Sequence, residues 1–182
     1  MNIKYIVYPK YKEKIKSLYF EAFPKNERFP FWILKHSIKK GKSTLIAILD
    51  DDKFIGMEYI VNCDDSCYLM FFAINKELRN KNYGSKTLMD LKLKYKTIFL
   101  SIEKPCDEMS SRRKQFYIRN GFYETNKFYE DNGVIFEVLC TNQDYIITEE
   151  VLKIRYDNMT NSRLIKYIIG KRFNTNKIKF IK

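Results

Sequence analysis

A single histidine, six glycines and four prolines in 182 residues leave this chain poor in metal-ligating imidazole and in the residues that loosen or break a backbone. His36 stands far from the four cysteines, and Cys63, Cys67, Cys106 and Cys140 lack the paired C-x-x-C spacing of zinc sites. No metal is expected, and the cysteines read as reduced, structural thiols. Cys63 and Cys67 flank Asp64-Asp65-Ser66, a hairpin-turn cue, so a disulfide is geometrically conceivable, but a reducing compartment disfavours it. Long apolar runs are missing too. The longest uncharged apolar runs, residues 45–49 and 68–74, are far too short to span a bilayer, and Met1-Asn2-Ile3-Lys4-Tyr5 lacks the apolar core of a secretory signal. The expected location is cytoplasmic.

What the chain does contain is apolar and basic. A hydrophobic content of 45%, with 16% aromatic residues, suffices for one well-packed α/β core with room for an appendage. The formal net charge of +12 favours anionic ligands, whether nucleotide phosphates, acidic substrates, nucleic acid or a membrane surface. Much of it sits at the end: residues 151–182 hold nine Lys or Arg against Asp157 alone, a net of +8.

Residues 3–8 form a strand candidate, and after Pro9 the positions Ile15, Leu18, Tyr19, Ala22 and Phe23 follow helical spacing. Pro30 suits the first turn of a second helix carrying Trp32, Ile33 and Leu34 and ended by Gly41. Residues 44–49, 53–63 and 67–74 read as an antiparallel meander broken by Asp50-Asp51-Asp52 and Asp64-Asp65-Ser66. Its last strand is almost wholly apolar, the mark of a strand covered on both faces. A helix from Gly84 carries Leu88, Leu91 and Leu93, a strand covers residues 97–102, and a helix runs from Ser110 to Asn120 with Gly121 as its stop. Asp131-Asn132-Gly133 then turns a hairpin between residues 122–130 and 133–141. Thr148 can cap a helix through Arg155, and Ser162 can cap a second over residues 164–169.

Two segments carry chemistry. Leu78-Arg79-Asn80-Lys81-Asn82-Tyr83-Gly84-Ser85 lies between a buried strand and a helix start, where backbone N–H groups and the helix dipole can hold a pyrophosphate, with Arg79, Lys81 and Lys86 adding full charges. Gln115-Phe116-Tyr117-Ile118-Arg119-Asn120-Gly121-Phe122 places a tyrosine on a helix four residues before a Gly-Phe that opens the next strand. Taken singly, the first reads equally as a solvated basic turn and the second as a buried aromatic before a capping glycine.

Together, in this order and separated by a helix and a strand, the two segments resemble the GCN5-related N-acetyltransferase (GNAT) superfamily over roughly residues 3–141. Its loop pattern, Arg/Gln-x-x-Gly-x-Gly/Ala, is met by Arg79, Asn82 and Gly84. Asn82 departs from the usual first glycine, yet asparagine tolerates left-handed geometry well. The stretch Ala22-Phe23-Pro24-Lys25-Asn26-Glu27-Arg28 is similar to one in a bacterial subgroup of the superfamily. The resemblance implies an α/β GNAT fold: a central mixed, mostly antiparallel sheet of about seven strands flanked by helices. It also implies acetyl-CoA as co-substrate. Residues 1–144 would be the GNAT domain and residues 145–182 a basic helical extension, packed on the core or in a homodimer.

By the same resemblance, Phe72, Ala73 and Ile74 match the strand end that pairs with the pantetheine arm and the acetyl carbonyl. Arg79, Asn80, Lys81, Asn82, Tyr83, Gly84 and Ser85 match the pyrophosphate loop. Ser110 falls where many relatives have an asparagine touching the cofactor arm, and Tyr117 matches the tyrosine facing the CoA sulfur. An amine attacks the thioester, so the oxyanion needs a donor, which a backbone N–H near Phe72 supplies. The thiolate needs a proton, which Tyr117 supplies as general acid. Glu103, just after a strand, is the first candidate for the base, with Glu27 and Glu21 behind it. The basic run Arg112-Arg113-Lys114 reads as a solvated helix face, and Phe31 and Trp32 fit an acceptor pocket or the core equally.

The expected function is therefore transfer of an acetyl group from acetyl-CoA to a primary amine of a small molecule or peptide in a ternary complex. The alternative is a catalytically silent acetyl-CoA-binding or RNA-binding module that uses its basic tail. Lys177-Ile178-Lys179-Phe180-Ile181-Lys182 also suits an extra strand against a partner.

Overall fold

A computed structural model describes residues 1–63, 66–160 and 178–181. Residues 64 and 65 of the predicted Asp-Asp-Ser turn, and the helix predicted over 164–169 with its Ser162 cap, lie outside them.

The strand β1 (Ile3–Val7) is followed by helices α1 (Lys12–Ala22) and α2 (Phe31–Lys39). The meander β2 (Ser43–Asp50), β3 (Lys53–Cys63) and β4 (Ser66–Ile74) comes next, then α3 (Tyr83–Lys94), β5 (Ile98–Glu103) and α4 (Glu108–Arg119). The hairpin β6 (Tyr123–Asp131) and β7 (Val134–Cys140), the helix α5 (Glu149–Thr160) and a short β8 (Phe180–Ile181) complete the order. Asn132 and Gly133 both take positive φ, the conformation that an Asn-Gly hairpin turn requires. Thr148 caps α5 by accepting from the Val151 N–H at 3.3 Å.

The strands join in one eight-stranded sheet ordered β1-β2-β3-β4-β5-β7-β6-β8, one more than the approximate seven expected from the sequence. The additional strand, β8, pairs antiparallel with β6 of its own chain, whereas a strand against a partner was one of the uses the sequence left open for this tail. Every pairing is antiparallel except β4 with β5.

Strand alternation sends side chains into two cores. On one face Leu45, Ala47, Tyr59 and Phe71 pack against Ile15, Leu18 and Tyr19 of α1, Ile33 and Leu34 of α2, and Leu152 and Met159 of α5. On the other, Ile46, Ile60, Leu69 and Leu100 meet Leu88 and Leu91 of α3 and Tyr117 of α4. Burying each of these aliphatic side chains stabilises the fold by about 1.5–3 kcal/mol before entropy is counted.

The sheet is discontinuous at one seam. Among the described residues, β4 and β5 pair only at Cys67 with Ile98 and Tyr68 with Phe99, although β4 continues to Ile74 and β5 to Glu103. Just there β4 carries an inserted residue: Tyr59 opposes Phe71 and Ile60 opposes Leu69, leaving Met70 as a bulge. A bulge bends its strand and strengthens local twist, which turns β4 away from β5.

One buried charge stands out. Glu58, on β3, is 1% exposed, and among the described residues its Oε2 has no hydrogen-bond partner. Burial pushes its carboxyl up to about 7, Lys94 pulling it down and Asp90 pushing it up. Because the folded value lies above the unfolded one, the associated stability is complete below about pH 4.5 and is lost as pH rises through about 7. Urea unfolding at pH 5 and pH 8 should show the wild type weaker at pH 8 by roughly 2–3 kcal/mol. Glu58→Gln should remove most of that difference; an unchanged difference would refute the assignment.

Candidate active site

The divergence of β4 and β5 opens a cavity of about 950 Å³. Its walls are the end of β4, the loop and first turn of α3, one face of α4, the end of β5 and the segment between α1 and α2. The β4 wall is bare backbone. The Asn75 N–H donates to the Ile55 carbonyl at 2.9 Å, so Asn75 points toward β3, and alternation points the N–H groups of Phe72 and Ile74 the opposite way, into the seam.

A short 3-10 turn, Lys76–Leu78, leads from β4 toward α3. Arg79 Nε donates to the Ile74 carbonyl at 3.2 Å, tying the loop to the strand end. Asn80 and Asn82 take φ of 62° and 61°, so Asn82 adopts the left-handed backbone for which glycine is the usual choice. Asn82 also stands at the N-cap of α3 without a side-chain cap bond, which leaves the helix's leading N–H groups for a ligand. Tyr83 anchors the turn: its hydroxyl donates to Asp50 at 2.7 Å, and that bond, with one from the Asn2 N–H, holds the Asp50 carboxyl below its usual range. Gly84 packs closely on α4: a Cβ there would lie 3.0 Å from Cζ of Phe116, so the ring would have to give way.

Phe72, Ala73, Ile74, Arg79, Asn80, Asn82, Tyr83, Gly84 and Ser85 all line the cavity. Lys81 and Ser110 are not among its lining residues. Lys81 is exposed beside it, whereas Ser110 is buried in the capping box of α4: its N–H donates to Asp107 at 2.7 Å and its hydroxyl receives the Asp107 N–H at 3.1 Å. A serine three residues after Asp107 thus serves the helix start.

Tyr117 projects from α4 into the cavity, its ring edge-on to Phe116 and Phe122 at centroid distances of 5.2 and 5.5 Å. Burial pushes the phenol up to about 12, with Arg113 opposing, and among the described residues its hydroxyl has no hydrogen-bond partner. It is a neutral donor facing the space between the strands. Gly121 at φ 80° closes α4, and the Phe122 N–H returns to the Tyr117 carbonyl at 3.1 Å, fixing the tyrosine's turn.

Glu103 and Glu27 both line the cavity. Glu103 lies 4.0 Å from Arg113 and accepts from the Cys106 thiol at 3.9 Å. Burial raises the Glu27 carboxyl, Arg113 lowers it and Glu103 raises it further, which makes Glu27 a stronger base than an ordinary carboxylate. Glu21 does not line the cavity. Phe31 is buried in the core and Trp32 is 46% exposed, both away from the cavity wall.

The solvated-face reading of Arg112-Arg113-Lys114 is corrected. Arg112 and Arg113 stand on the cavity wall, while Lys114 is paired with Glu124 and with Glu137 at 2.9 Å. Sequence reasoning also missed Ser101, Tyr129, Asp131, Arg155 and Tyr156, which floor the cavity. The available signal was Arg155 itself, a cation on the same helical face as Leu152 and Met159. Among the described residues, no cluster of His, Cys, Asp and Glu is placed to hold a metal.

No protein-family model matches the chain, and no curated protein matches it by sequence. Solved structures do. A protein of Bacteroides thetaiotaomicron assigned to the GNAT family of acetyltransferases superposes with a TM-score of 0.71 at 27% identity, covering 88% of this chain and 97% of its own. The chain belongs to the GNAT superfamily. A Bacillus subtilis acetyltransferase solved with CoA shares the GNAT fold at TM-score 0.60 and 15% identity, over 78% of this chain and 99% of its own. A GNAT acetyltransferase of Elizabethkingia anophelis with acetyl-CoA bound does so at 0.52 and 16%, over 78% and 98%.

The left-handed backbone at Asn82 gives a direct test of the loop. Asn82→Gly should bind acetyl-CoA about as tightly as the wild type, whereas Asn82→Val, strained by about 1–2 kcal/mol at positive φ, should bind roughly tenfold more weakly in calorimetry. Equal affinities for the two variants would remove the loop conformation from the account.

Proposed function

We propose that this chain transfers the acetyl group of acetyl-CoA directly to a primary amine of a small molecule or peptide. The observation that carries the reading is the convergence, in one cavity, of unpaired β4 backbone, the uncapped start of α3 and the Tyr117 hydroxyl. Loop residues 79–85 would hold the pyrophosphate through N–H groups and the α3 dipole, with Arg79 adding charge. Phe72 and Ile74 would pair with the pantetheine arm as an added strand would.

The amine nitrogen, once deprotonated, attacks the thioester carbonyl carbon. A C–N bond forms, and the carbonyl electrons move to oxygen, where the Phe72 N–H stabilises the oxyanion. Collapse breaks the C–S bond. The carbonyl re-forms as the sulfur leaves with the bonding pair and takes the Tyr117 proton, and the second proton shed by the new amide nitrogen restores the phenol through solvent. The amine's proton passes to the carboxylate rim, where we assign Glu27 as the base and Glu103 as the group beside it that, across Arg113, sets its basicity.

Free CoA release over an amine panel tests the reading. Tyr117→Phe should lower kcat by about 10²-fold while leaving acetyl-CoA affinity within about threefold. An absence of turnover on every amine, despite tight acetyl-CoA binding, would sink the transferase assignment.

The base assignment has its own signature. Glu27 must be ionised to work, and its carboxyl is raised, so kcat/KM should climb with pH along a limb lying above the ordinary carboxylate range. Arg113→Ala, which removes the cation that lowers Glu27, should move that limb to higher pH, and Glu27→Gln should abolish it. A limb unaltered in both variants would assign the base elsewhere.

A further inference from the structure

The floor of the cavity is built around a cation that the acetyl-transfer chemistry does not use. Arg155, on α5, is 2% exposed, and its guanidinium is ringed by tyrosines: Tyr68 of β4, Tyr129 of β6 and its neighbour Tyr156, with ring centroids 4.9, 4.8 and 4.3 Å away. Nη1 donates to the Tyr68 and Tyr129 oxygens at 2.7 and 2.5 Å and to Ser101 at 3.3 Å; Nη2 donates to the Tyr156 oxygen at 2.5 Å. Its Nε has no hydrogen-bond partner among the described residues.

The charge balance there is incomplete. Burial raises the Tyr129 and Tyr156 phenols far above neutrality, so both are uncharged acceptors. The single carboxylate near the guanidinium among the described residues is Asp131, 3.8 Å from Nη2, and it also receives the Tyr156 hydroxyl proton. A guanidinium out of water normally takes a close, two-pronged carboxylate, and here that contact is missing on the Nε side. Tyr68, having accepted from Arg155, has no acceptor for its own hydroxyl proton among the described residues. Arg155, Tyr68 and Ser101 line the same cavity as Glu27 and Glu103.

We propose that this floor binds a carboxylate of the acceptor, so that the acceptor is an amino acid or similar amine carrying an acidic group. Describing that ligand as the acceptor rests on the transferase reading above. The carboxylate accepts from the Tyr68 hydroxyl, with the Arg155 guanidinium behind it supplying the charge, while the amine end lies toward the Glu27 and Glu103 rim below the acetyl group. The rings of Phe29, Phe136 and Tyr129 in the lining suit the carbon chain between the two ends.

The test measures CoA release by the full chain at saturating acetyl-CoA. The acceptors are β-alanine, 4-aminobutyrate and 6-aminohexanoate, each beside its primary amide, which keeps size and amine but removes the negative charge. At least one acid should show a kcat/KM about tenfold or more above that of its amide. Tyr68→Phe, which keeps the ring, should cut that acid-to-amide ratio by about fivefold or more, and Arg155→Met should bring it near one. Equal use of acids and amides, or a preference for the amides, would overturn the proposal.

If no amine is turned over, the transferase reading fails and the floor is judged by binding alone. Glutarate, but not glutaramide, should then raise the thermal midpoint of the CoA-loaded wild type, with a smaller rise in Tyr68→Phe. Stabilisation by both compounds or by neither would overturn the carboxylate site.

Discussion

Two residue pairs, Cys67 with Ile98 and Tyr68 with Phe99, carry the parallel pairing that joins the two halves of the sheet. Beyond them the Met70 bulge bends β4, and among the described residues the two strands part without further pairing to each other. Unpaired N–H and C=O groups cost free energy when buried, so such a seam persists only where it meets water or a ligand that supplies partners. The rest of the architecture is arranged around it. α3 starts at one end of the gap, Tyr117 reaches in from α4, and the segment between α1 and α2 brings Glu27.

Opening a sheet along its middle requires something to hold its halves in register, and Arg155 does so from below. Its hydrogen bonds reach Tyr68 on β4, Ser101 on β5 and Tyr129 on β6, so one guanidinium ties strands on both sides of the seam. Tyr156, next along α5, reaches Asp131 at the end of β6. α5 is thereby bound into the main core through Leu152, Tyr156 and Met159. The same contacts make the cavity floor polar, while Arg79 before α3 and Arg112, Arg113 and Arg119 of α4 line its walls. The chain's excess positive charge is thus concentrated partly where a phosphate-bearing co-substrate would approach.

Much of this was legible in the residues. The apolar run of β4, the Asn-Gly turn and the Gly121 helix stop are local signals, and the elements expected before residue 161 formed within a few residues of their places. Asn82 was readable because left-handed tolerance is intrinsic to its short polar side chain. What stayed hidden depends on contacts distant in sequence. Ser110 could be a ligand group or a helix cap from its spacing alone, and only its bonds to Asp107 decide. The Glu27 carboxyl is raised by burial and by Glu103 and lowered by Arg113, both distant in sequence, and Arg155 meets tyrosines from β4 and β6. Periodicity carries no record of such pairings.

The central claim is that the seam's free β4 backbone receives the acyl-CoA. Amide hydrogen exchange, read residue by residue by NMR with and without acetyl-CoA, measures it directly. Phe71 and Ala73, whose N–H groups face β3, should exchange slowly in both states, whereas Phe72 and Ile74 should exchange quickly in the free protein and slow by about tenfold or more when acetyl-CoA is added. Unchanged exchange at Phe72 and Ile74 under saturating acetyl-CoA would contradict the account.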